Sequence, residues 1–159
     1  MGDFGAQTSV GGGTGTYTAE LSEDWRIWGP MGGYIATVAL RAASAEVDPA
    51  LRPASFTCQF LAPASFESVE LTVDVRRATR RTAAVAVEVA QQGRVVLDAQ
   101  VWFAAESDEG AAHDHAPRHG HGHPDDHPDI RELVDEDEQP LFPFWENFEG
   151  RPVDWGEDW

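Results

Sequence analysis

The sequence has little cysteine, no lysine and no long apolar run. Its 159 residues include one cysteine, Cys58, which excludes an intramolecular disulfide and a cysteine-based metal site. No apolar stretch reaches the roughly 18 residues that a membrane-spanning helix needs, and no signal peptide pattern opens the chain. We therefore expect a cytoplasmic protein with no membrane partner.

Positive charge is scarce, and the negative charge is unevenly distributed. Residues 1–104 contain 11 acids and 8 arginines, whereas residues 105–159 contain 17 acids and 3 arginines. Nucleic-acid binding needs a basic face, so a nucleic-acid partner is disfavoured. Arginines do cluster at positions 76, 77, 80 and 81. We interpret that cluster as a solvated turn and not as a phosphate site.

The most informative stretch, residues 25–43, reads WRIWGPMGGYIATVALRAA. Residues 29–33, here called the glycine turn, lead into a helix predicted over residues 30–46. Glycine lets a ligand approach the backbone closely, and a helix N-terminus carries unpaired N–H donors and partial positive charge. The turn is therefore a candidate seat for a carbonyl oxygen, a carboxylate or a phosphate. The alternative is that Gly32 and Gly33 allow close packing of the helix on a sheet.

Alternating apolar residues predict a series of strands around this helix. A first strand is expected at 17–21, and four more follow the helix at 54–61, 69–75, 82–90 and 95–104. Gln91, Gln92 and Gly93 have the composition of a hairpin turn. Short connections favour an antiparallel sheet, and the single helix, apolar around most of its circumference, indicates an α+β arrangement with that helix buried.

The two ends of the chain differ from this body. Residues 1–15 have little apolar pattern and are expected to form a flexible arm, although Phe4 and Val10 could dock. Residues 106–139 are acidic, contain all six histidines and are predicted to be disordered. Residues 140–159 are rich in aromatics and should dock on the body or on a partner.

In order and spacing, these segments resemble the N-terminal half of the TesB-like acyl-CoA thioesterases, which have two hotdog domains in one chain. The resemblance covers most of residues 16–104: it includes the 25–43 stretch, ASFTCQFLAP at 54–63, the turn at 77–82 and the strand at 93–103. The 142–155 stretch is similar to the linker between the two hotdogs. The resemblance implies a hotdog domain at 16–105, with a curled antiparallel sheet wrapped around one long helix.

The resemblance also implies an acyl-CoA or other thioester ligand. Such a site needs oxyanion donors, a carboxylate that activates water and an apolar slot for the acyl chain. The candidate substrate-binding residues are Trp28, Gly32, Gly33, Tyr34 and Gln59, with the slot beside Phe56 and Phe60. Taken singly, Trp28 and Tyr34 fit core or interface positions better than substrate contacts.

The catalytic carboxylate is not evident. No acid occurs in 30–45, and the family's catalytic Asp, Thr and Gln belong to the second hotdog, so catalytic residues stay unassigned here. Asp74, Asp98, Thr57 and Gln59 are strand candidates whose simpler interpretation is a polar residue on a sheet face. Cys58 is best interpreted as a small buried apolar residue.

Three functions remain: an acyl-CoA thioesterase or the N-terminal half of one, a non-catalytic acyl-binding or assembly module that needs a second hotdog, and a hotdog dehydratase or hydratase. The third is nearly excluded because such enzymes usually need an Asp–His pair and residues 1–104 contain no histidine. Because a hotdog sheet usually continues across a dimer or into a second hotdog, we expect one of these pairings.

The histidines at 113, 115, 119, 121, 123 and 127 include ligand types for zinc, nickel or copper. Their spacing fits no rigid zinc pattern, so we predict neither a metal nor a cofactor.

Overall fold

The computed structural model describes residues 1–106, 120, 122–134 and 142–153. Within these ranges the chain forms one antiparallel six-stranded sheet and one long helix. The helices are α1 (Phe4–Gln7), α2 (Gly32–Ala45) and α3 (Ile130–Leu133), and short 3-10 helices occur at Glu23–Trp25, Pro124–Asp126 and Pro143–Asn147. None of the helices in these ranges is long and apolar enough to cross a membrane.

The strands are β1 (Gly11–Gly13), β2 (Thr16–Glu20), β3 (Leu51–Phe60), β4 (Ser68–Ala78), β5 (Thr82–Gln91) and β6 (Arg94–Ala105). They lie in the order β1-β2-β4-β5-β6-β3, with every neighbouring pair antiparallel. β3, which directly follows α2, therefore forms an edge. The α+β class is confirmed.

Helix α2 packs on one face of the sheet. Its buried residues are Tyr34, Ile35, Val38, Ala39, Ala42 and Ala43. They pack against every second residue of the strands. Leu71, Val87 and Phe103 are among these strand residues, and at most 1% of their surface is exposed. The helix is apolar and buried around most of its circumference, as expected, and Gly33, Arg41 and Ser44 lie on its exposed side.

The predicted elements are present, with shifted ends. Helix α2 begins at Gly32 and not at Pro30, because Pro30 forms an isolated bridge with Arg26 and Met31 has extended backbone angles. Strand β3 begins at Leu51 and not at residue 54, since Pro53, which lacks an N–H donor, is accommodated on an edge strand beside a register shift. The predicted hairpin turn is confirmed: Gln92 and Gly93 both have positive φ.

The first fifteen residues differ from the expected flexible arm. Asp3 caps α1, and Thr8 is fully buried. Gly12 and Gly15 take positive φ, which lets β1 fold back on β2 in a tight hairpin. The alternative that Phe4 and Val10 dock agrees with the structure: the ring of Phe4 lies 5.0 Å from that of Trp25, and Val10 packs against the core.

The predicted disordered segment at 106–139 also differs in its described part. Residues 123–134 contain a capped 3-10 helix and α3, whose Ile130 is buried. The predicted aromatic tail is described only over 142–153. Of the histidines, 113, 115, 119 and 121 lie outside the described residues.

Candidate functional site

The N-terminus of α2 is shaped by Met31. Its carbonyl accepts hydrogen bonds from the N–H groups of Tyr34 and Ile35, at 3.0 and 3.2 Å. Its thioether sulfur accepts from the N–H of Gly33 at 2.9 Å. Within the described part of the chain, nothing accepts a hydrogen bond from the Gly32 N–H. Because a thioether is a weak acceptor, the turn carries two donors that a carbonyl oxygen can engage.

Gly32 also has a packing role. A Cβ atom at this position would lie 2.9 Å from Cζ of Phe60, so the phenyl ring sits directly against the turn. Phe60 is itself 55% exposed, at the end of edge strand β3. The close-packing interpretation therefore holds for Gly32, and it places an aromatic ring beside the donors.

Tyr34 lies in the core. It has no exposed surface, and its hydroxyl accepts from the Ser22 N–H at 3.0 Å and donates to the Gln7 carbonyl at 2.8 Å. Burial raises the pKa of this phenol. With its surface and hydroxyl both occupied, Tyr34 has no face left for a substrate, so its role is to join α2 to the N-terminal segment.

Trp28 is the most exposed tryptophan of the body. Its side chain is 88% exposed and meets the ring of Phe142 edge to face, with centroids 5.6 Å apart. Phe60 and Leu61 are exposed as well. The segments on either side of α2 that lead to the glycine turn and end β3 thus present apolar side chains to solvent.

Gln59 lies on the other face of the sheet. It is exposed and opposite Asp98, which in turn is opposite Glu88 on β5. Thr57 and Asp74 lie in the neighbouring cross-strand row. These residues alternate with the side chains that contact α2, so they point away from the glycine turn. The structure does not bring the strand candidates together with Gly32 and Gly33.

The carboxylates that precede the turn have other partners. Glu23 pairs with Arg26 at 3.0 Å, and Asp24 accepts from the side-chain amide of Gln7 at 2.6 Å. Glu46, at the other end of α2, accepts from the Tyr17 hydroxyl and the Gly15 N–H, each at 2.6 Å. All three carboxylates are thus engaged in the fold.

Cys58 faces the helix side of β3 and is partly buried. Burial raises the pKa of its thiol, which keeps it protonated and unreactive at neutral pH. A nucleophilic role is disfavoured. Among the described residues, no group of three or more His, Cys, Asp or Glu is arranged to hold a metal ion.

Three grooves of the described residues lie away from the turn. One of about 490 Å³ runs along β2 and α1, lined by residues that include Gln7, Glu20 and Ser22. One of about 450 Å³ lies beside the β5–β6 turn, around Ser65 and Gln91, and one of about 270 Å³ lies on the outer sheet face around Trp102. None has a residue of the glycine turn in its wall, so the apolar slot predicted beside Phe56 and Phe60 is not one of these cavities.

A long helix held in an antiparallel sheet of this strand order defines a hotdog-fold protein. The first of the solved structures that match is a hotdog-fold protein from Alicyclobacillus acidocaldarius described as of unknown function, with a TM-score of 0.78 and 23% identity over 90% of this chain. The hotdog prediction is confirmed.

The chain belongs to the acyl-CoA thioesterase N-terminal domain family, which matches residues 21–104. A putative thioesterase II from Thermobifida fusca has a TM-score of 0.69 and 28% identity over 77% of this chain. An acyl-CoA thioesterase II from Mycobacterium marinum has a TM-score of 0.61 and 19% identity over 72%. A comparison with curated proteins finds no match.

The chain spans about half the length of these structural relatives. It covers 52% of the Alicyclobacillus chain, 46% of the Thermobifida chain and 42% of the Mycobacterium chain.

Sequence reasoning missed two residues at this site. Met31 supplies a sulfur cap that no pattern signals. Asn147 contacts the segment before the turn from 123 residues away, as its bond to the Asp24 carbonyl shows. The only asparagine in the chain, inside an aromatic tail, was the one available signal for it.

Proposed function

We propose that this chain binds an acyl-CoA thioester at the glycine turn and takes part in its hydrolysis. The observation that carries the proposal is the pair of N–H donors at Gly32 and Gly33. Among the described residues, the first has no acceptor and the second is satisfied only by a thioether sulfur. Donors of this kind stabilise the oxyanion that forms when water attacks a thioester carbonyl. Membership of the acyl-CoA thioesterase family supports the same ligand.

The acyl chain would lie along the exposed apolar surface beside the turn. Phe60, Leu61 and Trp28 expose 55%, 59% and 88% of their surface, and burial under an acyl chain would remove this area from water. A second subunit or a second hotdog would close the slot and supply the carboxylate that activates water. A cytoplasmic location stays a prediction.

A second candidate function is acyl binding without turnover. It is favoured by the engagement of Glu23, Asp24 and Glu46 in ion pairs and hydrogen bonds of the fold. In that case the chain would be the binding partner of a separate hotdog that carries the catalytic groups.

One experiment separates these functions. The full chain is mixed with decanoyl-CoA and palmitoyl-CoA and a thiol-reactive dye, and binding of the unhydrolysable decyl thioether of CoA is measured by calorimetry. Turnover above the buffer rate supports the enzyme. Binding without turnover supports the binding module. If the chain neither binds the thioether nor releases thiol, the proposal is wrong.

A further inference from the structure

The aromatic tail is docked beside the glycine turn. Residues 142–148, here called the docked tail, include Phe144 and Phe148, whose rings lie 6.4 and 6.0 Å from the ring of Trp25. Trp25 is buried and stacks on Tyr34 at 5.7 Å. One tryptophan thus connects the tail to the first turn of α2.

Hydrogen bonds fix the same contact. The Phe144 N–H donates to the Arg26 carbonyl at 3.1 Å. The Asn147 side chain donates to the Asp24 carbonyl at 2.7 Å and accepts from the Gly2 N–H at 2.5 Å. It also donates to the Pro143 and Phe144 carbonyls within the tail. Asn147 therefore joins the N-terminus, the tail and the segment that precedes the turn.

That segment, loop 25–31, is joined to the glycine turn by hydrogen bonds of its own backbone. The Met31 N–H donates to the Trp25 carbonyl at 3.0 Å, and the Ile27 N–H donates to the Gly29 carbonyl at 3.1 Å. Met31 is the residue whose sulfur accepts from Gly33. Two hydrogen-bonded steps, through Trp25 and Met31, thus separate the tail from the candidate oxyanion donors.

The far side of the tail is braced as well. Arg131 donates to the Phe148 carbonyl at 2.9 Å, and the Ile130 N–H donates to the Gly150 carbonyl at 2.7 Å. Arg151 donates to the His127 carbonyl at 2.7 Å. The tail is therefore held between α3 and the body, and it does not depend on a single contact.

We propose that the docked tail is a positioning element that holds loop 25–31, and through it the glycine turn, with Asn147 as its positioning residue. The link to substrate rests on the proposed function, whereas the link to the loop does not. A mobile loop would leave the two donors aligned in only part of the population, and apparent affinity falls in proportion to that part.

Hydrogen exchange of the full chain tests the positioning role. In the Asn147→Ala variant, the amides of Arg26, Ile27 and Met31 are expected to exchange about tenfold faster, which corresponds to roughly 1.4 kcal/mol of local opening. Amides in β5 and β6 should be unchanged, because those strands pair only within the sheet. The matched control is Glu146→Ala, an exposed neighbour in the same 3-10 helix, which should exchange like the original protein.

Two results would overturn the proposal. One is unchanged exchange in loop 25–31 although the amides of the docked tail exchange faster, which would show that the tail does not hold the loop. The other is a uniform rise across loop and sheet, which would make Asn147 a general stability residue. Phe144→Ala removes the ring contact and one apolar anchor, and it should give the same local pattern as Asn147→Ala.

The binding measurement then separates the two proposals. If the original chain binds the decyl thioether of CoA, the apparent affinity of Asn147→Ala should fall in proportion to the fraction of molecules in which exchange shows loop 25–31 closed, and that of Glu146→Ala should not change. An affinity that does not follow this closed fraction would refute the link to substrate. Absence of binding by the original chain would refute the proposed function while the exchange result still decides the positioning role.

Discussion

Under the proposed function, Met31 places a soft sulfur atom where a substrate oxygen would bind. Its Sδ lies 2.9 Å from the Gly33 nitrogen, and a Cβ at Gly33 would lie 3.2 Å from both Sδ and Cε. The sulfur accepts from this donor and would cost little to displace, because methionine has three flexible bonds and a weak acceptor.

Replacing this sulfur tests its role directly. Met31→Leu keeps the volume and removes the acceptor, so stability should change by less than about 1.5 kcal/mol. Affinity for the decyl thioether of CoA should stay the same or rise, since no sulfur has to be displaced from Gly33. Calorimetry and urea unfolding measure the two effects. A marked loss of affinity at unchanged stability would show instead that the sulfur contacts the ligand.

Tyr34 gives a contrasting prediction, because it belongs to the core. Tyr34→Phe leaves the Ser22 N–H and the Gln7 carbonyl without their partner, so the free energy of unfolding should fall by about 1–3 kcal/mol. Urea unfolding measures it. The affinity of the folded protein for the decyl thioether of CoA should not change. A loss of affinity beyond the loss of folded protein would show that Tyr34 contacts the ligand.

At the scale of single residues, the sequence indicated which residues belong to the candidate site better than it indicated which residues they contact. The donors at Gly32 and Gly33 follow from a Gly-Pro-x-Gly-Gly helix start, which is local. A core or interface position was the favoured interpretation of Tyr34 as a single residue, but its contacts could not be predicted, because its partners Gln7 and Ser22 belong to a segment with no pattern of its own. The orientation of Gln59 was predictable, because neighbouring residues of a strand point to opposite faces of the sheet. Phe60 contacts Gly32, so Gln59 faces away from the turn.

Helix α2 is anchored at its C-terminal end by one carboxylate. Glu46 accepts from the hydroxyl of Tyr17 on β2 and from the N–H of Gly15 in the β1–β2 turn. These bonds lower the pKa of Glu46, and the hydrogen bond to Glu46 raises the pKa of Tyr17 to about 12. The helix and the hairpin are thus linked by an interaction that depends on pH.

The sign of this dependence follows from the two shifts. Glu46 contributes stability above its ordinary pKa of 4.5, and this contribution is lost as pH falls through the lower folded value. Tyr17 contributes stability in full below 10.0, and this is lost as pH rises toward about 12. In urea unfolding between pH 7 and about pH 3, Glu46→Gln should therefore lose less stability than the original chain. Glu88→Gln, on the exposed sheet face, is the control, and an equal slope in both variants would contradict the assignment.

The elements themselves were largely predictable, except where no periodicity exists. Five strands and one helix follow from alternation and from the apolar residues of 30–46. The helix and hairpin of residues 1–15 were not predicted because α1 has only four residues, too few for a helical pattern, and because glycines that suggest mobility instead allow a tight hairpin. The docking of Phe4 depends on Trp25, a partner 21 residues away that a local pattern does not specify.

At the scale of the whole molecule, the two edges of the sheet are unequal. One edge is β1, only three glycines long, while the other is β3, ten residues long. β3 ends in exposed Phe60 and Leu61. Among the described residues, β3 has no neighbour on its outer side, and a long edge with apolar residues invites pairing with another strand. The resemblance predicts a pairing and the sequence pattern contains the apolar end of the strand, but neither indicated that β3 would form an edge.

We expect the isolated chain to use this edge for self-association. Light scattering after gel filtration should give twice the mass of one chain, because antiparallel β3 pairing satisfies the open backbone groups of both copies. Phe60→Asp places a charge at the end of that edge and should shift the protein to monomer. Trp102→Asp, at a 44% exposed aromatic on the outer face, should leave the dimer intact. If Trp102→Asp dissociates the dimer and Phe60→Asp does not, the copies meet through the outer sheet face, and the glycine turn would lie outside the interface.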